Sequence, residues 1–375
     1  MSKAPWYVEN IWYAAAWEHE LAAADNKLAR RICNVPLVLF KSENGGYVAL
    51  DDRCCHRGAP LSLGRIEGDC IRCMYHGMLY NAQGQVIQIP GQDHISKNMK
   101  VESYPLVARG GMLWIWMGDP ALADENAICD FPPMETPESW RGFEQGAYLH
   151  YQANWMLIVD NLADFSHVAF VHTNTLGGSE DYAYNTAAEN IEKHVDGFSM
   201  ERWDRNSACP PFHAKVIPAA EVEQKVDRAN FIQMLLPGIF LMRTRFAPAG
   251  WNAEADDVDQ LREYRNCQFM TPETESTTHF FWNYFHNWNM SDPSIIRSLE
   301  ASLLEGFLED KVFIESQQQL LADSDEFVPR IIGADAAFVH FRQCWQQRLD
   351  QEHANASVPD TSSSDRNRPL SQRVL

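Results

Sequence analysis

Two groups of residues in this chain have the types and spacing that metal chemistry needs. The first lies in Asn154 to His172, NWMLIVDNLADFSHVAFVH. Apart from Asn154, Asn161 and Ser166, its polar side chains are Asp160, Asp164, His167 and His172, set among apolar ones. A helix apolar nearly all round is usually buried, and at about 3.6 residues per turn Asp160, Asp164 and His167 share a stripe about 60° wide. Buried charges must be paired, hydrogen-bonded or metal-bound. Two imidazoles beside carboxylates suit non-haem Fe(II), or Zn, better than Mg or Ca. His167 and His172 are five apart, which in a regular helix turns them about 140° from each other. The expectation is a loosened helix, through a π-bulge or an end near Phe170.

The second group is sharper. In DRCCHRGAPLSLGRIEGDCIRCMYHGMLY, Cys54-x-His56 and Cys73-x-x-His76 are separated by sixteen residues. Thiolates suit iron-sulfur clusters and imidazole suits iron, so two of each can divide between the irons of a [2Fe-2S] centre. Neutral imidazoles in place of thiolates raise the potential to roughly −150 to +300 mV, against about −400 mV for plant-type ferredoxins. Such a centre accepts electrons from a reduced flavin or ferredoxin. Two Cys and two His also satisfy tetrahedral zinc. A zinc finger, however, wants a helix carrying its His pair, whereas both pairs here lie in Gly- and Pro-rich loops beside strand-like segments. Cys55 and Cys70 do not match the ligand spacing and read as packing residues or bystanders.

Composition narrows the function classes. At 375 residues and 45% hydrophobic content the chain fits two globular domains. No stretch is long and apolar enough to span a bilayer, and Glu9 and Asn10 interrupt the N-terminal apolar run where a signal peptide needs continuity. Nine cysteines, unevenly spread, fit a reducing cytoplasm better than a disulfide framework. A formal charge of −20 argues against nucleic acid as a partner. It favours a docking protein with a basic patch.

Residues 6–50 read as short strands, with a hairpin at Asn44-Gly45-Gly46, and GGMLWIWMGDP closes a first domain over residues 1–118. The composition changes at ALADENAICDFPP, so a second domain spans 119–353 and a polar, Ser-rich, disordered tail 354–375. In the second domain FEQGAYLHYQANW is a strand feeding the Asp160 helix, and residues 188–290 alternate as strands around an acidic loop, WNAEADDVDQ. LEASLLEGFLEDKVFIESQQQLL and AAFVHFRQCWQQRLDQEH have helical character.

The paired loops and DNLADFSHVAFVH resemble the two metal motifs of the Rieske non-haem iron oxygenases. The likeness runs from WYAAAW through LWIWMGDP to TPETESTTHFFW. It is greatest with oxygenase components of the vanillate O-demethylase, toluenesulfonate methyl-monooxygenase and dicamba monooxygenase kind. The resemblance implies an α+β fold: an N-terminal β-rich Rieske [2Fe-2S] domain, and a C-terminal helix-grip-like catalytic domain with a curved antiparallel sheet and flanking helices. It implies Cys54, His56, Cys73 and His76 as cluster ligands, and mononuclear Fe(II) on His167 and His172.

A facial triad also needs a carboxylate. Asp160 and Asp164 are nearest in sequence, but in the resembling family the ligand comes from a late helix. At about 100° per residue, Asp310 shares a stripe with Leu303, Phe307, Phe313 and Ile314, whereas Glu305, Glu309 and Glu315 point about 100° to 140° away. Asp310 is therefore the expected third ligand. The family gives the Asp164 position to an electron bridge between an iron-ligating His and a cluster-ligating His of the next chain, which implies a homotrimer. A carboxylate that only orients His167 is the alternative. Asp160 and Asn161 read as support, and Asn154 as a pocket or supporting group.

The implied activity is O2- and NAD(P)H-dependent hydroxylation of a methyl, O-methyl or N-alkyl substituent on a small, anionic aromatic substrate. Electrons would come from a separate reductase or ferredoxin using NAD(P)H and flavin. Ring dioxygenation or hydroxylation by the same metals is the rival, and an electron carrier or redox sensor using only the cluster is the alternative from another class. His279, His286, Trp282, Tyr284 and Trp288 are candidates for the pocket wall, Arg243 and Arg245 for the anionic group, and His213 is undecided; packing or ion pairing explains each equally well.

Overall fold

The computed structural model describes residues 6–177, 190–218, 222–251, 261–323 and 328–356. Its architecture is α+β, with small sheets first and one large sheet with helices after them. Strands β1 (Ile11–Trp17), β10 (Leu106–Arg109) and β11 (Met112–Met117) form one sheet in the order β1-β11-β10. β2 (Lys27–Ile32), β3 (Val35–Lys41), β4 (Tyr47–Asp51) and β9 (Ser103–Tyr104) form a second. The hairpin at Asn44-Gly45-Gly46 is present between β3 and β4. A third sheet holds β5 (Arg65–Glu67), β6 (Cys70–Arg72), β7 (Leu79–Tyr80) and β8 (Val86–Gln88) in sequence order. A short helix, α1 (Glu18–Ala23), interrupts the expected run of strands.

β11 is apolar at every position because both its faces are covered. Leu113, Ile115 and Met117 enter the N-terminal core, while Met112, Trp114 and Trp116 pack toward the large sheet. β1 does the same, but a bulge between Ala14 and Ala16 resets its alternation. Ala15 and Ala16 both join the N-terminal core, and Trp17 returns to the other side with Trp12 and Ala14.

After three short 3₁₀ turns between Pro120 and Met134, β12 (Ala147–Tyr151) leads to helix α2 (Trp155–Ala163). β13 (Asn190–His194), β14 (Gly197–Ser207), β15 (Val226–Leu235), β16 (Ile239–Pro248), β17 (Arg262–Thr274) and β18 (Thr277–His286) complete a seven-stranded antiparallel sheet ordered β12-β18-β17-β16-β15-β14-β13. Alternation gives this sheet two different faces. Ile239, Leu241, Cys267, Phe269 and Phe281 meet the tryptophans of β1 and β11. Phe240, Ile232, Met270, Trp282 and Tyr284 meet the helices.

The helical layer has α2, the single turns α3 (Val168–Val171) and α4 (Pro211–Ala214), and the long α5 (Pro293–Ala322) and α6 (Ala336–Ala356). α5 starts with Asp292 accepting the Ser294 N–H and Pro293 in the first turn. Its buried stripe runs Leu299, Leu303, Gly306, Phe307, Asp310, Ile314. Phe313, expected on that stripe, is 63% exposed, because it lies at the stripe's edge where the core no longer covers the helix. A Cβ at Gly306 would fall 2.6 Å from Leu176, so glycine there admits the segment after α3 against α5. α6 continues to Ala356, so the first residues of the expected tail are helical; the rest of it, and the acidic loop beyond Trp251, lie outside the described residues. No helix among the described residues is long and apolar enough to cross a membrane.

Candidate metal centres and the cavity between helices and sheet

The two Cys/His loops repeat one backbone pattern. The Cys54 N–H donates to the Ala59 carbonyl and the Gly58 N–H to the Cys54 carbonyl, both at 2.8 Å. In the second loop the Cys73 N–H donates to Met78 at 2.8 Å and the Gly77 N–H to Cys73 at 2.9 Å. Each loop turns on a left-handed glycine, Gly58 at φ 71° and Gly77 at φ 77°, which side chains rarely tolerate. The result sorts the donors by depth: the Cys54 and Cys73 thiols are buried, and the exposed His56 and His76 rings lie with centroids 4.6 Å apart. That separation fits a centre with sulfur ligands on its inner metal and nitrogen ligands on its outer one. Tyr80 backs the first loop, its hydroxyl 3.0 Å from Cys54 Sγ and 3.2 Å from Cys55 Sγ. Cys55 is exposed and held by Tyr80, a bystander rather than a packing residue, and Cys70 is half-buried on β6.

In the second region the helix breaks earlier than expected. α2 stops at Ala163, and Asp164 adopts extended backbone with φ −128° and ψ 108°. Its carboxylate accepts from the Ser166 N–H and hydroxyl, both at 2.8 Å, and so starts a new 3₁₀ turn, Phe165–His167. α3 follows and ends at Val171, with His172 as its cap. The helix loosens by a break at Asp164, before both histidines, rather than by a π-bulge, and the end of α3 at Val171 falls next to the expected end near Phe170. The break also removes the shared stripe: Asp160 faces away and makes a two-pronged pair with Arg342 of α6.

His167 and His172 turn their Nε2 atoms toward one carboxylate. Nε2 of His172 is 3.1 Å and that of His167 3.5 Å from Asp310 Oδ1. Ligand atoms of all three residues lie within 4.8 Å of one another. Bonds of about 2.1 Å at right angles place neighbouring ligand atoms about 3 Å apart, so the three residues fit one ion.

Each Nδ1–H is held elsewhere, as ligating histidines require. His167 donates to the Asp164 carbonyl at 2.6 Å, and His172 donates to Glu309 Oε2 at 2.7 Å. Within the chain, then, it is the backbone carbonyl of Asp164 that orients His167, while the carboxylate serves Ser166. Thr175 steadies Glu309 through a 2.6 Å hydrogen bond, and Asn161 donates to Asp310 Oδ1 at 3.0 Å. Burial lowers the pKa of His167. Burial pulls His172 down as well, but hydrogen bonds and charge from Asp310 and then Glu309 outweigh it and raise its pKa.

Glu309 was missed by sequence reasoning. An angle about 100° from Asp310 on a helix is small enough for neighbouring carboxylates to flank one imidazole. Asn154, in contrast, does not line the cavity. It caps α2, accepting the Met156 N–H at 2.8 Å, and ties it to the β17–β18 turn through Glu275.

A cavity of about 110 Å³ lies between the His167/His172/Asp310 group and the sheet. Its sheet wall shows the register: Asn230 faces Thr244 across β15 and β16, while Met242 faces Asn266 and Phe240 faces Gln268 across β16 and β17. Of the aromatic candidates only Tyr284 lines it, and His213 lines it from α4. His279 is on the opposite face, accepting from the Tyr148 hydroxyl at 2.8 Å and donating to the Arg31 carbonyl at 2.9 Å. His286 is held by the Trp288 carbonyl, Trp282 packs on Phe307, and Trp288 packs on Tyr264. Arg243 and Arg245 also leave the cavity: alternation turns them outward, Arg243 over the Phe231 ring and Arg245 to Glu263.

A two-loop cluster domain joined to a sheet domain with two histidines and a carboxylate on its helices defines the oxygenase component of a Rieske non-haem iron system. Residues 11–105 match the Rieske [2Fe-2S] domain, and residues 151–351 the vanillate O-demethylase oxygenase C-terminal domain. The chain belongs to the Rieske non-haem iron oxygenases and is a monooxygenase; its relatives are named as components of multi-part systems. It is 36% identical over 352 residues to the iron-sulfur subunit of a toluene-4-sulfonate monooxygenase system from Comamonas testosteroni, covering 94% of this chain and 99% of that one. With the oxygenase component of dicamba O-demethylase from Stenotrophomonas maltophilia it shares 33% over 343 residues, 89% and 95% of the two chains. The crystal structure of dicamba monooxygenase bound to 3,6-dichlorosalicylic acid matches with a TM-score of 0.84 at 29% identity, over 93% of this chain and 99% of that one.

Proposed function

We propose that this chain hydroxylates a methyl, O-methyl or N-alkyl substituent on a single-ring aromatic acid. The observation that carries this reading is the cavity beside the two histidines and Asp310, walled by Leu162, Leu303, Phe307 and Tyr284 with a few polar side chains from the sheet. Cys54, His56, Cys73 and His76 would hold the [2Fe-2S] cluster, and His167, His172 and Asp310 the mononuclear iron. When bound, these centres supply single electrons and activate O2. Glu309 and the Asp164 carbonyl fix the histidine tautomers, Asn161 holds Asp310, and Leu162, Leu303 and Phe307 exclude bulk water.

The balance is one O2, two electrons and two protons, giving one water and one new C–OH. On an O-methyl carbon the product is a hemiacetal, which releases formaldehyde and the phenol; on an N-methyl carbon the hemiaminal releases formaldehyde and the amine. A ring methyl stops at the alcohol. NAD(P)H and flavin would enter through a cytoplasmic reductase. The reading divides the chain at 118/119 and assembles it as a homotrimer, in which Asp164 faces His76 of the partner subunit and links the two sites.

The test is product analysis under labelled dioxygen, with a surrogate reductase, across aromatic methoxy, methyl and N-alkyl acids. One label atom in alcohol or formaldehyde is expected. Two label atoms on the ring, without formaldehyde, reject the reading in favour of ring dioxygenation. A monomer in sedimentation rejects the trimer.

A further inference from the structure

Among the described residues, His213 has no hydrogen-bond partner. It is 3% exposed, and neither ring nitrogen makes a hydrogen bond, yet the ring lines the cavity. Phe246 and Tyr264 lie with ring centroids 4.8 Å away, and Phe212 at 5.0 Å. Buried polar atoms are nearly always satisfied, so a ring left with two unmet nitrogens in a cavity wall is placed for a ligand. Burial, then the charge of Arg228, hold its pKa well below the ordinary value. The ring is therefore neutral and carries one N–H.

Its neighbours in the wall are also donors. The Thr244 hydroxyl donates to Asn230 Oδ1 at 2.8 Å, which leaves the Asn230 amide nitrogen to donate. Arg228, two residues earlier on the same strand face, is fixed by Asp204 through Nε at 3.2 Å and Nη2 at 3.0 Å. Among the described residues lining the cavity, the sole carboxylate is Asp310. α4 meets α5 on the side N-terminal to Asp310, where Lys215, just after α4, donates to Ser302 at 3.1 Å and lies 3.9 Å from Glu305. His213, Asn230 and Arg228 line the same cavity as His167, His172 and Asp310.

We propose that His213, with Asn230 and Arg228, is the subsite for the oxyanion head group of the aromatic substrate, a carboxylate or a sulfonate. Anchored there, the ring presents its far substituent to His167, His172 and Asp310. The proposal rests on the function proposed above and adds the residue that selects acids.

The experiment is calorimetric titration of the iron-loaded holoenzyme with 4-methoxybenzoate, toluene-4-sulfonate and the neutral 4-methylanisole. Wild type is expected to bind at least one acid more tightly than the ether; the two acids tell carboxylate from sulfonate. His213→Phe should lose roughly 10- to 100-fold in affinity for that acid, the size of a hydrogen bond to a charged group, with ether binding unchanged. His213→Gln, which keeps an N–H, should recover most of the loss, and Asn230→Leu carries the same comparison where the Phe variant does not fold. Equal weakening of acid and ether, unchanged acid binding, or a wild type that prefers the ether overturns the subsite. Turnover separates the two proposals: a wild type that still oxidises these compounds at their substituents keeps the function when the subsite fails, and one that oxidises none overturns the function.

Discussion

The candidate cluster ligands fall between Cys54 and His76, on two loops with the same internal hydrogen bonds and the same left-handed glycine. His167, His172 and Asp310 come from a 3₁₀ turn, the end of a helical turn and a helix well over a hundred residues later. The first site is organised by local backbone and leaves its imidazoles at the surface. The second exists only when α5 has docked against the segment after α2, and His172 and Asp310 are then almost fully buried. A local site can keep its shape while its surroundings change. A tertiary site reports on the packing that makes it.

The largest expected effects separate the two sites outright. Asp310→Ala should abolish mononuclear iron binding and reduce turnover to background while the red-brown colour of the cluster persists. Cys73→Ser should bleach the colour and leave iron on the triad. Metal analysis beside the visible spectrum reads both, and loss of both metals in either variant breaks the contrast.

Next is Glu309. Glu309→Ala frees His172 Nδ1 and is expected to cost about 10- to 100-fold in iron affinity or activity, as other supporting carboxylates do. The cluster spectrum should not move, and Glu309→Gln should recover part of the loss by still accepting the Nδ1–H. An alanine variant with wild-type iron affinity would show that α5 docking alone positions His172.

A third test concerns the junction between the regions. Burial, then the charge of Arg30, lowers the pKa of His279 from 6.5 to about 4. Between those values the unfolded chain binds the proton and the folded one does not, so stability falls as pH drops from about 6.5 toward 4. The contribution is on the order of 3 kcal/mol at most. Urea melts across this range should show the acid limb flatten in His279→Gln; an unchanged slope would assign it to other groups.

The smallest effect belongs to Asn154. As a helix cap its replacement by Ala should cost about 1 kcal/mol of stability and leave iron content unchanged. Altered iron content would return it to a supporting role at the site.

The same contrast explains what was legible. Cys54, His56, Cys73 and His76 carry their geometry in their own spacing, and the hairpin at Asn44-Gly45-Gly46 and the alternation of β14 to β18 are equally local. The place of Asp310 on the buried face of α5 was readable because one helical period sets it apart from Glu305, Glu309 and Glu315. Glu309 was not, because its role depends on where the His172 ring arrives. The loosening of the helix was readable but its place was not, because the Asp164 carboxylate also fits an uninterrupted helix; here it accepts from Ser166 where α2 ends. Arg243 and Arg245 looked available to a substrate until pairing fixed which face of β16 they occupy.

The two-faced sheet has a consequence for descent. On β16 and β17, Phe240, Met242, Thr244, Asn266 and Gln268 form the cavity wall, and the interleaved Ile239, Leu241, Cys267 and Phe269 form the seat of the N-terminal domain. Neighbouring codons thus answer to different selective pressures. A lineage can exchange every second residue of these strands to accept a new compound while the alternate residues preserve the domain seat, and a library restricted to the first set would search substrate range without disturbing that seat.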